Sequence, residues 1–149
     1  TLILAGIRRR GVPLARQLAG LMEQFGGVRP QVETLDITLY RDDLSELSAQ
    51  PDVRAPQFSV PVEGKTVILV DDVIYTGRTA RAAMDAVIHL GRPARIRLAV
   101  MVDRGHRELP IDPEYVGKNV PTARDEQVKV LTPEFDGQWG IRLLKPVII

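Results

Sequence analysis

The sequence contains no cysteine, which excludes a disulfide framework and any metal site built on thiolates. It has no apolar run of about 18 residues, so no membrane-spanning helix is expected. We expect no signal peptide in the sequence as given, and no phosphate loop of the form G-x-x-x-x-G-K-[ST] occurs in it. The net charge of +1 argues against a broad electrostatic field for nucleic acid. We therefore expect one cytoplasmic domain spanning residues 1–149.

Lysine is also scarce, because arginine supplies 16 of the 20 basic residues. A guanidinium binds phosphate and carboxylate groups with two parallel hydrogen bonds. This bias favours a polyphosphate substrate, RNA, or both. The chain begins at Thr1 inside an apolar strand pattern and without Met, so we expect an N-terminal segment to be absent from it.

The most informative stretch is residues 67–79. Four apolar residues from Val67 predict a strand that is buried on both faces. Asp71 and Asp72 follow at its carboxyl end, and a turn then opens a helix with apolar residues at helical spacing. The turn contributes Thr76, Gly77 and Thr79.

Ligands of open α/β sheets bind beyond the carboxyl ends of the strands. The N-terminus of a helix offers unpaired N–H groups and a partial positive charge to a phosphate. Ionised aspartates accept hydrogen bonds, which suits the two neighbouring hydroxyls of a ribose. Residues 67–79 therefore predict a site for a ribose 5-phosphate. The alternative is a strand followed by a surface Asp pair and an ordinary helix cap.

A second anion site is predicted near the start of the chain. A strand over residues 1–5 leads into a turn in which Gly6 and Gly11 flank three consecutive arginines, Arg8, Arg9 and Arg10. A helix with Pro13 near its start follows and ends at residues 26–27. Three like charges this close repel one another unless an anion is bound, although a solvated basic turn is the alternative.

The remaining pattern predicts strands over residues 31–39 and 95–102, an irregular stretch over 111–125, and a hairpin of strands 127–131 and 139–144. Residues 45–61 have no helical period and form a long loop. Arg41 precedes this loop and is a candidate for contacting pyrophosphate; the alternative is an ion pair with Asp42 or Asp43.

Residues 67–79 resemble the 13-residue 5-phosphoribosyl-1-pyrophosphate (PRPP) motif of type I phosphoribosyltransferases, which has four apolar residues, two acidic residues and a Thr-Gly-x-Thr loop. The resemblance implies an α/β type I phosphoribosyltransferase fold. That fold has a mostly parallel central sheet flanked by helices, a small irregular hood and a C-terminal hairpin. A flexible flap would occupy about 42–61 and the hood about 104–125.

Three further blocks resemble the pyrimidine-operon attenuation regulators of the PyrR family. They are Gly-Ile-x-x-Arg-Gly within 5–15, Asp-Ile-Thr-Leu-Tyr-Arg-Asp-Asp-Leu at 36–44, and 98–122 with Asp-Arg-Gly-His-Arg-Glu-Leu-Pro and Tyr-Val-Gly-Lys-Asn-x-Pro-Thr. Purine enzymes typically carry a further Asp where this chain has Tyr75. The resemblance implies conversion of uracil and PRPP to UMP and diphosphate, and UMP-dependent binding of pyrimidine-operon leader mRNA.

The same resemblance implies roles for particular residues. Asp71, Asp72, Arg10 and Arg41 would be catalytic, and Arg104, Val116 and Val128 would bind the base. RNA would be bound by His106, Arg107 and Lys118. PRPP and its phosphates would be bound by Arg9, Arg10, Asp71, Asp72, Val73, Ile74, Tyr75, Thr76, Gly77, Arg78 and Thr79. Mg²⁺ would be held mainly by PRPP, without a dedicated protein site. The family also implies a homodimer or homotetramer.

Two departures from the family pattern alter charge. Arg9 stands where that family usually has Thr, and Asp112 stands where it often has Arg. Two alternatives remain: a sensor of UMP or PRPP that binds RNA with negligible turnover, and a nucleobase salvage phosphoribosyltransferase without an RNA function. His106 has the further alternative of a structural or solvated residue.

Overall fold

The central sheet has five strands, all parallel, in the order β2-β1-β3-β4-β5. The computed structural model describes residues 1–41 and 57–147, so most of the expected flap at 42–61 lies outside the described residues. The strands are β1 (Leu2–Ile7), β2 (Gln31–Leu35), β3 (Thr66–Ile74), β4 (Arg95–Asp103) and β5 (Tyr115–Asn119). The expected parallel α/β arrangement is confirmed.

Two longer helices cover opposite faces of this sheet. They are α1 (Gly11–Gly26) and α2 (Arg78–Leu90). Successive residues of a strand alternate between faces, so Val67 and Leu69 of β3 join the core beneath α2, whereas Ile68 and Val70 join the core beneath α1. This explains why the central strand is apolar throughout.

A separate antiparallel hairpin closes the described part of the chain, as expected. Strands β6 (Gln127–Leu131) and β7 (Gly140–Leu144) pair with each other, and the single helical turn α3 (Pro133–Asp136) lies between them. Val130 of β6 packs into the core beneath α1. No helix of the described residues is long and apolar enough to cross a membrane.

Several predicted elements differ from the structure, and β1, predicted to end at residue 5, continues to Ile7. Strand β2 ends at Leu35 because the Asp36 carboxylate accepts hydrogen bonds from the Thr38 backbone N–H (3.0 Å) and hydroxyl (2.6 Å), which turns the chain into a 3₁₀ turn. Strand β3 continues through Asp71 and Asp72. Part of the stretch predicted to be irregular forms strand β5, which pairs with β4 but is exposed along its length, so it has no buried face to impose an apolar period.

The start of α1 lies against the backbone of β3. A Cβ atom on Gly11 would stand 2.2 Å from the carbonyl oxygen of Val70, a distance that no side chain can occupy. Gly26 lies at the other end of the same helix, and a Cβ there would meet nothing within 4 Å. Glycine at position 11 thus sets how closely the helix approaches the central strand.

We expect Gly11→Ala to lower the free energy of unfolding by about 1–3 kcal/mol, because α1 must move away from β3. Gly26→Ala is the matched control and should be neutral or stabilising by up to about 1 kcal/mol, since alanine favours helix. Urea denaturation of the two variants measures the difference. Equal stabilities would contradict the close approach.

Candidate active site

Asp71 and Asp72 lie near the carboxyl end of the central strand. Oδ1 of Asp71 accepts the Asp72 backbone N–H at 2.8 Å, and Oδ1 of Asp72 accepts the Val73 backbone N–H at 2.9 Å. These bonds orient each carboxylate through one oxygen. Because each carboxylate oxygen has two lone pairs, both groups keep capacity to accept hydrogen bonds from a ligand.

Burial raises the pKa of Asp71 well above its usual value, and the neighbouring Asp72 carboxylate raises it further. Asp71 therefore keeps its proton to a higher pH than an ordinary aspartate. Perturbed carboxyl groups at the end of a strand are typical of binding and catalytic sites.

A small cavity of about 120 Å³ lies between Asp71 and the loop that precedes α2. Its lining includes Asp71, Tyr75, Thr76, Gly77 and Thr79. Gly77 precedes α2 with φ of +94°, a left-handed conformation that glycine adopts without strain. The cavity thus adjoins the N-terminus of a helix, which is a favourable place for a phosphate.

The backbone of the loop before α2, residues 75–77, is held by the segment that follows β4. The carbonyl oxygen of Thr76 accepts the backbone N–H groups of Glu108 (2.8 Å) and Leu109 (3.1 Å), and the Arg78 side chain donates to Glu108 at 3.0 Å. Hydrogen bonds from residues 108 and 109, which are distant in sequence, therefore help to fix the conformation of the loop.

Arg107 links this segment to both strand ends. Its guanidinium donates two hydrogen bonds to Asp103 (2.6 and 3.0 Å), one to the carbonyl oxygen of Tyr75 (3.2 Å) and one to that of Ile111 (2.8 Å). It also reaches the carboxylate of Asp112 at 3.3 Å. The Arg107 guanidinium holds the pKa of Asp103 below its usual range. The predicted RNA residue Arg107 is thus committed to contacts within the protein.

Tyr75 lies between Arg104 and His106. The Arg104 guanidinium stacks 4.0 Å from the centre of the Tyr75 ring and donates to the Thr122 hydroxyl at 3.1 Å. The His106 ring meets Tyr75 edge to face at 5.7 Å, and its Nε2 donates to the carbonyl oxygen of Thr122. The backbone of His106 is left-handed, with φ of +69°. These contacts give Tyr75 a fixed position at the start of the loop that precedes α2.

The arginines at the start of the chain each have a different neighbour. Arg8 pairs with Asp36 at 3.6 Å, and the Arg9 guanidinium stacks 4.1 Å from the centre of the Phe135 ring. Arg10 pairs with Asp136 of α3. The peptide between Arg8 and Arg9 is cis. Arg9 and Arg10 therefore contact the segment between the hairpin strands, while Arg8 and Arg9 stay exposed.

The predicted base-binding residues are distributed over separate surfaces. Arg104 lines a cavity with His106 and Asn119. Val116 lines a larger apolar cavity of about 630 Å³ between α1, the sheet and the hairpin, with Trp139 among its lining residues. Val128 packs on the core beneath α1. Lys118 is exposed on β5, and Arg41 is exposed directly after the 3₁₀ turn.

Several site residues were missed from the sequence. Asp103 and Thr122 fix Arg107 and Arg104, while Phe135 and Asp136 contact the arginine turn. Asp103 follows a predicted strand, so its place at a strand end was a usable signal. The contacts of residues 135 and 136 join positions more than 120 apart in the chain, and no local pattern indicates them.

The acidic residues offer little for a dedicated metal site. Among residues 1–41 and 57–147, no group of three or more His, Cys, Asp or Glu side chains is arranged to hold a metal ion. Two neighbouring carboxylates fit an ion that takes most of its ligands from substrate phosphates and water, as Mg²⁺ does.

Comparisons with known proteins agree with this geometry. A family model described as the phosphoribosyl transferase domain matches residues 1–136. The chain is 55% identical over 144 residues to the bifunctional protein PyrR of Clostridium novyi (strain NT), covering 97% of this chain and 81% of that protein. It is 58% identical over 144 residues to the bifunctional protein PyrR of Pelotomaculum thermopropionicum, covering 97% and 80%.

Solved structures show the same fold. The hypoxanthine phosphoribosyltransferase of Trypanosoma cruzi matches with a TM-score of 0.70 at 21% identity, over 98% of this chain and 77% of that one. The chain therefore belongs to the phosphoribosyl transferase domain family, and within it to the family of bifunctional PyrR proteins. The expected type I fold, with its parallel sheet and C-terminal hairpin, is confirmed.

The raised pKa of Asp71 predicts a particular dependence of stability on pH. The folded chain keeps the Asp71 proton at pH values where the unfolded chain, with a pKa near 3.9, has released it. The contribution of Asp71 to the free energy of unfolding is therefore complete below about pH 3.9 and is lost as pH rises through the folded pKa. Because an amide does not titrate, we expect Asp71→Asn to abolish this decrease in stability with pH. The variant should therefore have a higher free energy of unfolding than the unchanged protein above about pH 4. Denaturation across pH measures it, with Asp125→Asn on an exposed turn as the control. Parallel curves for the two variants would contradict the prediction.

Proposed function

We propose that this chain is a uracil phosphoribosyltransferase that also regulates pyrimidine-operon expression by UMP-dependent binding to leader mRNA. The observation that carries the proposal is the cavity at the end of β3, where Asp71 and the Thr76–Thr79 loop meet at the start of α2. The identity of more than half to proteins named bifunctional PyrR supports both activities.

The loop residues bind the 5′-phosphate of PRPP through the backbone N–H groups at the start of α2 and the hydroxyls of Thr76 and Thr79. Asp71 and Asp72 bind the two ribose hydroxyls. Because the pKa of Asp71 is raised, this residue donates as well as accepts over a wider range of pH. The sugar is thereby oriented with its anomeric carbon beyond the end of β3.

In the reaction, the bond between the anomeric carbon and diphosphate breaks, and a bond from that carbon to a ring nitrogen of uracil forms as the nitrogen loses its proton. Positive charge develops on the sugar, and the aspartate pair stabilises it electrostatically. Mg²⁺ bound to PRPP would supply charge neutralisation for the diphosphate. The turn at residues 8–11 would face the same leaving group, and Arg41 would approach it from the start of the flap. Catalysis of this kind depends on orientation and electrostatics rather than on a covalent nucleophile.

Tyr75 favours uracil over a purine. Its ring is fixed between Arg104 and His106, and a neutral phenol is not the carboxylate that would accept the proton of a purine ring nitrogen. Arg104, Val116 and Val128 stay the proposed residues for the base, with Arg104 contributing through its position behind Tyr75.

Two alternative functions are a sensor of UMP or PRPP without turnover and a salvage phosphoribosyltransferase without an RNA function.

RNA binding is proposed for the surface around the segment that follows β4. Lys118 is exposed on β5 and offers a mobile ammonium to a phosphate. His106 lies in the adjoining cavity, and Arg107 would act by holding the segment in place. Arg107 also bonds to the carbonyl oxygen of Tyr75, so one side chain contacts both the loop of the proposed nucleotide site and the segment proposed to bind RNA. An oligomer is expected from the family.

The enzymatic half of the proposal is tested by following UMP formation from uracil, PRPP and Mg²⁺. We expect Asp72→Asn to lower kcat/KM by about 10²–10³-fold, because it removes charge stabilisation from the transition state. Asp85→Asn on the exposed face of α2 is the matched control and should match the unchanged protein. No UMP from folded protein would favour the sensor, and turnover of hypoxanthine or guanine would contradict the role given to Tyr75.

The regulatory half is tested by titrating a leader stem-loop transcript at several salt concentrations, with and without UMP. Loss of one phosphate contact in Lys118→Ala should weaken binding and reduce the slope of log K against log salt by about 0.7–0.9. Lys65→Ala, at the opposite end of the sheet, is the control. Binding that ignores UMP and salt would support a salvage enzyme instead.

A further inference from the structure

The contact between Arg10 and Asp136 joins the arginine turn to the hairpin. The Arg10 guanidinium reaches both carboxylate oxygens, through Nη1 to Oδ2 and through Nη2 to Oδ1 at 3.3 Å. Its Nη1 also donates to the carbonyl oxygen of Val130 at 3.1 Å. The side chains are only 19% and 12% exposed, so this is a sheltered, two-pronged pair rather than a surface contact.

Asp136 is held from other directions as well. Its Oδ2 accepts the Thr132 backbone N–H at 2.9 Å, and Lys129 lies 3.8 Å from its Oδ1. The hydrogen bond from Arg10 is the main reason that the pKa of Asp136 falls to about 2. In the part of the chain that the structure describes, the Thr132 hydroxyl is fully buried and has no hydrogen-bond partner. The side-chain hydrogen bond that holds this turn is therefore the one that the Asp136 carboxylate accepts from the Thr132 backbone N–H.

This arrangement decides between two roles for Arg10. If Arg10 turned away to bind diphosphate, it would leave a sheltered carboxylate without its main partner, close to a strongly negative ligand. The unpaired carboxylate would be costly and would repel that ligand. If Arg10 stays, it neutralises Asp136 and fixes the turn. Arg9, whose exposed guanidinium stacks on Phe135, is then the side chain that meets the diphosphate.

We propose that Arg10 is a positioning residue, locked by Asp136 and the Val130 carbonyl, that holds the diphosphate-binding turn at a fixed distance from β6. Val130 lies two residues beyond Val128, the residue proposed to meet the base. The contacts of Arg10 would therefore fix the position of the turn that binds diphosphate relative to β6, the strand proposed to contact the base. This inference rests on the proposed function, because it assigns a role within PRPP binding.

The test compares binding of PRPP and of UMP, which lacks the diphosphate, by calorimetry. Asp136→Asn should weaken PRPP binding at least about tenfold, because the turn is misplaced, and should leave UMP binding within about twofold. Arg10→Lys, which keeps the charge but loses the two-pronged geometry, should behave alike, and the double variant should be no weaker than either. Thr132→Val, in the same turn, should leave both affinities unchanged.

An unchanged or increased affinity of Asp136→Asn for PRPP would overturn the inference. If Arg10 itself binds diphosphate, then removing its competitor leaves PRPP affinity unchanged or increases it. If unchanged protein binds neither ligand, the proposed function fails, and this inference with it. Should Asp136→Asn not fold, a crystal structure of the unchanged protein with PRPP decides: the Arg10–Asp136 contact persists if Arg10 positions the turn and is broken if it binds the ligand.

Discussion

One guanidinium, that of Arg107, joins the carboxyl ends of β3 and β4. It bonds to Asp103 at the end of β4 and to the carbonyl oxygen of Tyr75 just beyond β3, while its other donors hold Ile111 and Asp112. The loop before α2 and the segment after β4 therefore form a single supported unit. The same loop is also held through the Thr76 carbonyl oxygen, which accepts the backbone N–H groups of Glu108 and Leu109, so Arg107 adds a side-chain link to a backbone one.

Arginine is used in the same way at a second place, where Arg10 reaches a carboxylate and a backbone carbonyl of the hairpin. Both arginines use several donors of one planar group, which a lysine ammonium cannot reproduce. The excess of arginine in the composition was interpreted as a preference for polyphosphate or RNA. Part of it instead provides internal bracing, because Arg104, Arg107 and Arg10 are all largely withdrawn from solvent.

The elements that could be predicted from the sequence are those with a local cause. The apolar run of β3, the apolar spacing of α2 and the hairpin signals each lie within a few residues, and all three elements are present. Strand β5 was missed because an exposed strand lacks a period, and the end of β2 was misplaced because Asp36 stops it by a side-chain bond. Asp71, Tyr75 and Gly77 were predicted from a contiguous motif, and they line one cavity. Asp136 and Phe135 were not, since their partners lie far away in the chain.

The large apolar cavity between α1, the sheet and the hairpin has a practical consequence. Trp139 lines it, is 44% exposed and is the single tryptophan of the whole sequence. It stands three residues after Asp136, between α3 and β7. The tryptophan fluorescence of this protein therefore originates from one indole beside the hairpin, and its emission wavelength depends on the polarity of the cavity around that indole. Hairpin displacement becomes optically observable without attaching a dye.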